Sequence, residues 1–257
     1  MVSQVAARDE VIEFCDHLLE IEAFDDYGPN GLQVPGSAEV SRVATAVSAH
    51  LESIQAAIAS GADLLITHHG LFWDFHPRAL SDAMAKRLKT ALTAGLSIAG
   101  YHLPLDAHPE LGNNALLCRS LGFVPGPGDI GFAKGSRIGV VGKRPEPVPA
   151  ADLFEMVEDE LGQAPLILAE GPGQIDTIGI VTGAGAGEIH TAIELGLDAF
   201  LTGEPAEHVL ADAREGGIHF IAGGHYATEK AGVRRLGELL AERFGVEHEF
   251  IDVPNPI

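Results

Sequence analysis

At 257 residues the chain is long enough for one or two domains, and 46% hydrophobic residues exclude a disordered polymer. Acidic side chains number 37 against 16 basic ones, a formal charge of −21. That argues against duplex DNA as a partner, because DNA binding needs clustered Lys and Arg. An anionic substrate must then be met locally, by a metal or by aimed backbone N–H groups.

The N-terminal stretch Met1–Glu10 has no apolar signal core, and Arg8, Asp9 and Glu10 arrive early. Val11, Phe14, Cys15, Leu18 and Leu19 form one apolar stripe at helical spacing. After the turn Gly28-Pro29-Asn30-Gly31, β-type runs alternate with helical ones. Strands are expected at 43–49, 64–67, 96–101, 137–141, 175–182, 199–202, 218–222 and 249–253. Helices are expected at 81–94, 151–161, 189–195 and 228–244. This alternation predicts an α/β fold with mostly parallel sheets flanked by helices. The uncharged run Thr90–Leu105 is broken by Gly95, Gly100, His102 and Pro104, too short and interrupted for a membrane helix. Two cysteines, Cys15 and Cys118, read as small buried hydrophobes in a reducing compartment. The expected setting is soluble and cytoplasmic.

The Gly- and Pro-rich stretch Pro125–Gly135 marks the expected boundary between two lobes, 1–125 and 126–257. The lobes look alike. A strand opening at Val43 leads to Gly61-Ala62-Asp63 and Leu64–Thr67; one opening at Ile178 leads to Gly196-Leu197-Asp198 and Ala199–Thr202. Further on, His102 and Asp106 have the counterparts His225 and Glu229. Internal duplication is the expectation, with a site between the lobes.

Three clusters carry the chemistry. His68-His69 end a buried run, and Gly70 follows, so both imidazoles can converge where the strand turns. His225 and Glu229 lie four apart at a strand-to-helix handover and share one face. His102 and Asp106 enclose Pro104 and are expected on a loop. Imidazole with carboxylate and no thiolate suits Zn, Mn, Fe, Co or Ni, and a bridging carboxylate suits a pair of ions. Superposing the repeats adds Glu204, level with His69, and His102 as further candidates near the metals; capping of a helix beginning at Pro205 is the plainer role for Glu204.

Other features weigh less. The Gly183-x-Gly185-x-Gly187 turn can aim N–H groups at a phosphate, but Glu188 breaks the dinucleotide pattern, and a tight turn is the favoured reading. Phe72, Trp73 and Phe75 can stack a base, although core packing suits at least two of them better. His17, His50, His76, His108, His190, His208, His219 and His248 read as structural or solvated. There is no Gly-x-Ser-x-Gly elbow.

In these residues the chain resembles the NIF-three-like dinuclear-metal family, whose members are also labelled GTP cyclohydrolase type-two homologues. The matching stretches are Tyr27–Val34, Thr67–Gly70, His102–Asn114, Asp198–Glu204 and Gly224–Glu229. The resemblance implies a duplicated α/β fold, a toroidal homohexamer, and two divalent metals per subunit. It places the ligands on His68, His69, Asp106, His225 and Glu229, with Glu229 bridging. The expected function is metal-dependent hydrolysis of a small nucleotide-like or phosphorylated substrate by an activated water. The alternative is a non-catalytic metal-binding or interaction scaffold built on the same ring.

Overall fold

The most continuous apolar runs become the central strands, where both faces are covered and no polar position is needed. The computed structural model describes residues 4–126 and 128–257. Residues 1–3 of the N-terminal stretch and Pro127 of the expected boundary lie outside that range. The chain forms two compact units, one running to Leu105 and resuming at Gly232–Pro254, the other Asp106–Ala231 with Asn255–Ile257. The division therefore falls ahead of the Pro125–Gly135 stretch, and Asp106 belongs to the second unit rather than the first.

The first unit opens with helix α1 (Arg8–Leu18), which buries Val11, Ile12 and Cys15. Strand β1 (Gly31–Val34) and strand β2 (Arg42–Ser48) follow, then helix α2 (Leu51–Ala59), strand β3 (Leu64–His69), helix α3 (Asp82–Ala94) and strand β4 (Ser97–Gly100). Helix α2 starts in a reciprocal cap. The His50 Nδ1 accepts from the Ser53 N–H, and the Ser53 hydroxyl accepts from the His50 N–H. Helix α3 starts at Ser81, whose hydroxyl accepts from the Met84 N–H, and such a cap contributes about 1 kcal/mol. Leu64, Leu65 and Ile66 are wholly buried in β3, each contributing roughly 1.5–3 kcal/mol.

Helix α4 (Leu103–Ala107) carries the chain into the second unit. The loop expected around Pro104 is thus a short helix. Proline is tolerated there because the first turn of a helix leaves its N–H groups unbonded anyway. Next come α5 (Asn113–Ser120), β5 (Val124–Gly126), β6 (Val140–Pro149), α6 (Ala150–Leu161), β7 (Leu166–Ala169), β8 (Gln174–Val181), α7 (Ile189–Glu194), β9 (Ala199–Thr202), α8 (Val209–Gly216), β10 (His219–Ala222) and α9 (His225–Thr228). Helix α10 (Lys230–Phe244) and strand β11 (Glu247–Phe250) return to the first unit. Parallel pairing of β11 with β2 puts the chain's last strand beside an early one.

The first unit's sheet has the order β11-β2-β3-β4-β1, parallel except for β1. The second unit's order is β7-β10-β9-β8-β6-β5. Only β8, β9 and β10 are mutually parallel there, so the expectation of a mostly parallel sheet holds for the first unit and for this core of the second. Alternation along the strands serves two cores: Ile178, Ile180, Leu201 and Ile221 face one, Phe200 and Phe220 the other.

The two parallel cores repeat a polar detail. Asp63 Oδ2 accepts from the N–H and hydroxyl of Ser41, each at 2.8 Å, and from the Arg42 N–H at 3.1 Å. Asp198 Oδ2 accepts from the Asp176 N–H at 3.0 Å and from the N–H and hydroxyl of Thr177, each at 2.9 Å. Each carboxylate ties the turn before one strand to the start of its neighbour. The ladders correct one equivalence, however. Thr67 faces Gly100 and Thr202 faces Ala222. His102 is therefore level with Gly224 and Asp106 with Thr228, each one residue short of His225 and Glu229. Helices α4 and α9 both begin immediately after that level, at Leu103 and His225.

Candidate metal centre

In the first unit, β3 extends through His69, two residues beyond the expected end. His68 is fully buried and His69 half-buried. Their ring centroids are 4.7 Å apart, and the His102 ring lies 5.1 Å from His68 and 5.6 Å from His69. The three imidazoles offer nitrogens within 4.8 Å of one another.

Each ring is held through Nδ1. His68 Nδ1 lies 3.0 Å from the Tyr101 carbonyl oxygen, which can only accept, so Nδ1 carries the proton and the lone pair falls on Nε2. His69 Nδ1 meets the Ser48 hydroxyl at 3.0 Å. His102 Nδ1 meets Asp26 Oδ1 at 2.7 Å. A ring donating from Nδ1 to a carboxylate or carbonyl is how metal-ligating histidines are oriented.

Asp26 is the centre of a small network. It accepts from the N–H groups of Tyr27 and Leu103 and from the Asn30 amide, while Asn30 Oδ1 accepts from the His102 N–H. Burial alone would raise the Asp26 carboxyl. The bonds from His102, Asn30 and Tyr27 outweigh it and hold the group below the usual carboxylate range.

The second unit contributes carboxylates. Asp106 is buried and accepts from the Asn113 amide at 2.8 Å, and its oxygens approach those of Glu229 within 4.8 Å. Glu229 is buried at the break between α9 and α10, with Oε2 3.1 Å from His225 Nε2. His225 Nδ1 meets Glu204 Oε1 at 2.5 Å. Burial lowers the His225 pKa, but Glu229 and Glu204 outweigh burial and raise it to about 9. Without a metal, this imidazole is a cation between two carboxylates.

Gly183 closes one side of this group. Its φ is +70°, and a Cβ there would stand 2.3 Å from Glu229 Oε1 and 3.1 Å from His225 Nε2. The glycine turn is therefore not shaped for phosphate: the Gly183 and Gly185 N–H groups bond the hydroxyls of Thr228 and Thr202. Glu204 does not begin a helix at Pro205, since α8 starts at Val209.

The donor set suits a borderline divalent cation. It offers imidazole nitrogens and carboxylate oxygens, and burial pushes both cysteine thiols up to about 12, so no thiolate competes. Of the remaining histidines, His50 caps α2, His219 bonds the Gly171 N–H and the Pro172 carbonyl, and His248 meets Thr45. Asp26, Ser48 and Asn113 carry no functional signal in the sequence. Their partners lie 7 to 76 residues away, and no short spacing marks them.

A cleft of ≈ 590 Å³ opens beside the histidines of the first unit, lined among others by Phe72, Trp73, His76, Arg78 and Arg87. Trp73 also meets the His69 ring at 5.9 Å and the His102 ring at 5.1 Å. Core packing was expected for at least two of the three aromatics. Only Phe72 packs against the core; Trp73 stacks on Phe75, which is 70% exposed.

The family model for Duf34/NIF3 (NGG1p interacting factor 3) matches residues 6–256. The GTP cyclohydrolase 1 type 2 homolog of Pseudomonas aeruginosa is 44% identical, covering 97% of this chain and 98% of that protein. Its counterpart in Haemophilus influenzae is 42% identical over 96% of this chain and 98% of its own. Among solved structures, protein ybgI, of unknown function, superposes with a TM-score of 0.92 at 39% identity, over 98% of this chain and 100% of that one. TTHA1606 from Thermus thermophilus superposes with a TM-score of 0.88 at 35% identity, again over 98% and 100%.

Proposed function

The chain belongs to the Duf34/NIF3 family, and from that premise we propose that it is a metal-dependent hydrolase of a small nucleotide-like or phosphorylated substrate. His68, His69, Asp106, His225 and Glu229 would hold two divalent cations, drawn from Zn, Mn, Fe, Co or Ni, with Glu229 shared between them. The observation that carries this reading is the orientation of the imidazoles: His68 and His69 are held at Nδ1 by Tyr101 and Ser48, and His225 by Glu204. Two bound cations supply a lowered pKa for water and neutralise charge that builds on the substrate.

The chain's own residues do the rest. Tyr101, Ser48 and Glu204 orient the rings, and Asn113 orients Asp106. Asp26 holds His102 beside His68 and His69, where it can position water or substrate. Glu204 and Glu229 hold a proton on His225 in the metal-free protein. Trp73 offers a flat face for a base, and Arg78 and Arg87 offer the bidentate donors that phosphate prefers. On a chain of charge −21, that pair gives an anion a local welcome.

We extend the reading to a cytoplasmic toroidal homohexamer and to two units derived from one repeat; the shared Asp63 and Asp198 bonding supports the second point. Among the described residues, no helix is long and apolar enough to cross a membrane. Protein purified without added metal, assayed on nucleotides and phosphoesters before and after chelation, tests the function. Turnover that chelation abolishes and metal restores supports a hydrolase. Bound metal with no turnover on any substrate in the screen favours the scaffold.

A further inference from the structure

A second group of metal-type donors lies on the surface of the second unit. His190 stands in α7, His208 immediately precedes α8 without capping it through its side chain, and Asp212 lies in the first turn of α8. The two helices pack through Ile189, Ala192, Val209 and Ala213, which are buried in one cluster. This packing brings three side chains from two elements to one point. The imidazoles lie face to face, 8° from parallel with centroids 6.0 Å apart.

Asp212 Oδ2 lies between them, 3.6 Å from His190 Nε2 and 3.9 Å from His208 Nε2. Both separations are too long for a hydrogen bond. That oxygen is shielded from solvent and accepts no hydrogen bond, an arrangement that calls for an explanation in a folded protein. The two separations do suit atoms that share one ion. Ligands about 2.0–2.1 Å from Zn²⁺ lie roughly 3.3 Å apart at the tetrahedral angle, and farther at wider angles. All three donor atoms lie within 4.8 Å of one another. An imidazole lone pair lies in its ring plane, so the parallel rings must rotate to aim both nitrogens at a common centre, and their exposure leaves room for that rotation.

We propose that His190, His208 and Asp212 form a separate site for a divalent transition metal such as Zn²⁺ or Ni²⁺. Two imidazoles and one carboxylate are the donor chemistry these ions take, and three protein ligands leave a further position for water. The side chains of His190 and His208 are 60% and 48% exposed, so the ion enters from solvent. Bound there, it ties α7 to α8.

The test is Zn²⁺ alone, dialysed against the full-length protein at buffered free concentrations. Bound zinc is counted in the wild type, His208→Ala, Asp212→Asn and Glu229→Gln. Circular dichroism establishes that each variant is folded. The proposal predicts that His208→Ala and Asp212→Asn each lower one equivalent's affinity at least tenfold, and that this equivalent persists in Glu229→Gln. It also predicts that Zn²⁺ shifts the ring resonances of His190 and His208 together in the wild type. Unchanged zinc binding in the two folded variants, or ring resonances that do not move, overturns the site and leaves the Glu229 centre untouched.

Discussion

Asp26 holds His102 by a 2.7 Å contact between side chains 76 residues apart in sequence. The same carboxylate accepts from the Asn30 amide and from two backbone N–H groups, so its position is over-determined. If His102 works beside the metals, its orientation depends on Asp26. Asp26→Ala should therefore weaken metal binding or turnover about 10–100-fold, the usual cost of losing such a partner. Metal titration of the folded variant checks this, and wild-type affinity together with wild-type turnover would remove Asp26 and His102 from the account.

Glu204 should be legible through the titration of His225. In the metal-free protein, burial lowers this imidazole's pKa, but Glu229 and Glu204 raise it to about 9. Its folded value thus exceeds the ordinary 6.5. The associated stability is fully present below pH 6.5 and is lost as pH rises through about 9. Glu204→Gln should move the ring's titration, followed by NMR, toward lower pH. Metal uptake at neutral pH should also release a proton that the wild type holds on His225. A midpoint unaltered by Glu204→Gln would contradict the assigned contact.

Asp198 makes a prediction about acid stability. Burial raises its pKa, but the bonds from Asp176 and Thr177 outweigh burial and depress it. A depressed carboxyl stabilises above its unfolded pKa, near 3.8, and loses that contribution as pH falls through its folded value. Asp198→Ala should cost about 1–3 kcal/mol at neutral pH, because it leaves strand-end donors without their acceptor. The penalty should shrink below about pH 4. A penalty that is constant from neutral pH down to about pH 3, measured by urea unfolding, would show that the carboxylate charge does not matter.

Gly183 should resist even alanine. The added Cβ would enter the space of Glu229 Oε1, at a φ of +70° that costs a non-glycine residue about 1–3 kcal/mol. Gly183→Ala is expected to lower the melting temperature and to displace Glu229. Metal content and calorimetry together check this; unchanged values for both would mean that the turn can move away freely.

Much of the fold was legible because buried parallel strands announce themselves. Leu64-Leu65-Ile66-Thr67 needs no partner to be read as a strand, and the glycines before Leu64 and Ala199 mark where such strands start. The histidine and carboxylate spacings were visible for the same reason: they are local. The supporting groups were not. Ser48 reaches His69 through the β2–β3 register, and Asp26 reaches His102 through a loop, so both depend on tertiary pairing rather than on spacing. The return of α10 and β11 to the first unit was hidden too, because parallel pairing across about 200 residues leaves no short-range signal. The one-residue offset between His102 and His225 arose likewise, since matching motifs by type ignores the ladder that fixes their level.

The central claim is that five side chains hold two ions and that Glu229 is shared. The most direct measurement counts metal per chain, by mass spectrometry of protein purified without added metal, in a His190→Ala/His208→Ala background. That background removes the surface site from the count. Two ions per chain are expected, falling to one or none in Glu229→Gln, because a neutral amide neither bridges two cations well nor offsets their mutual repulsion. Two ions retained at full occupancy in Glu229→Gln, or none bound in the parent, would contradict it.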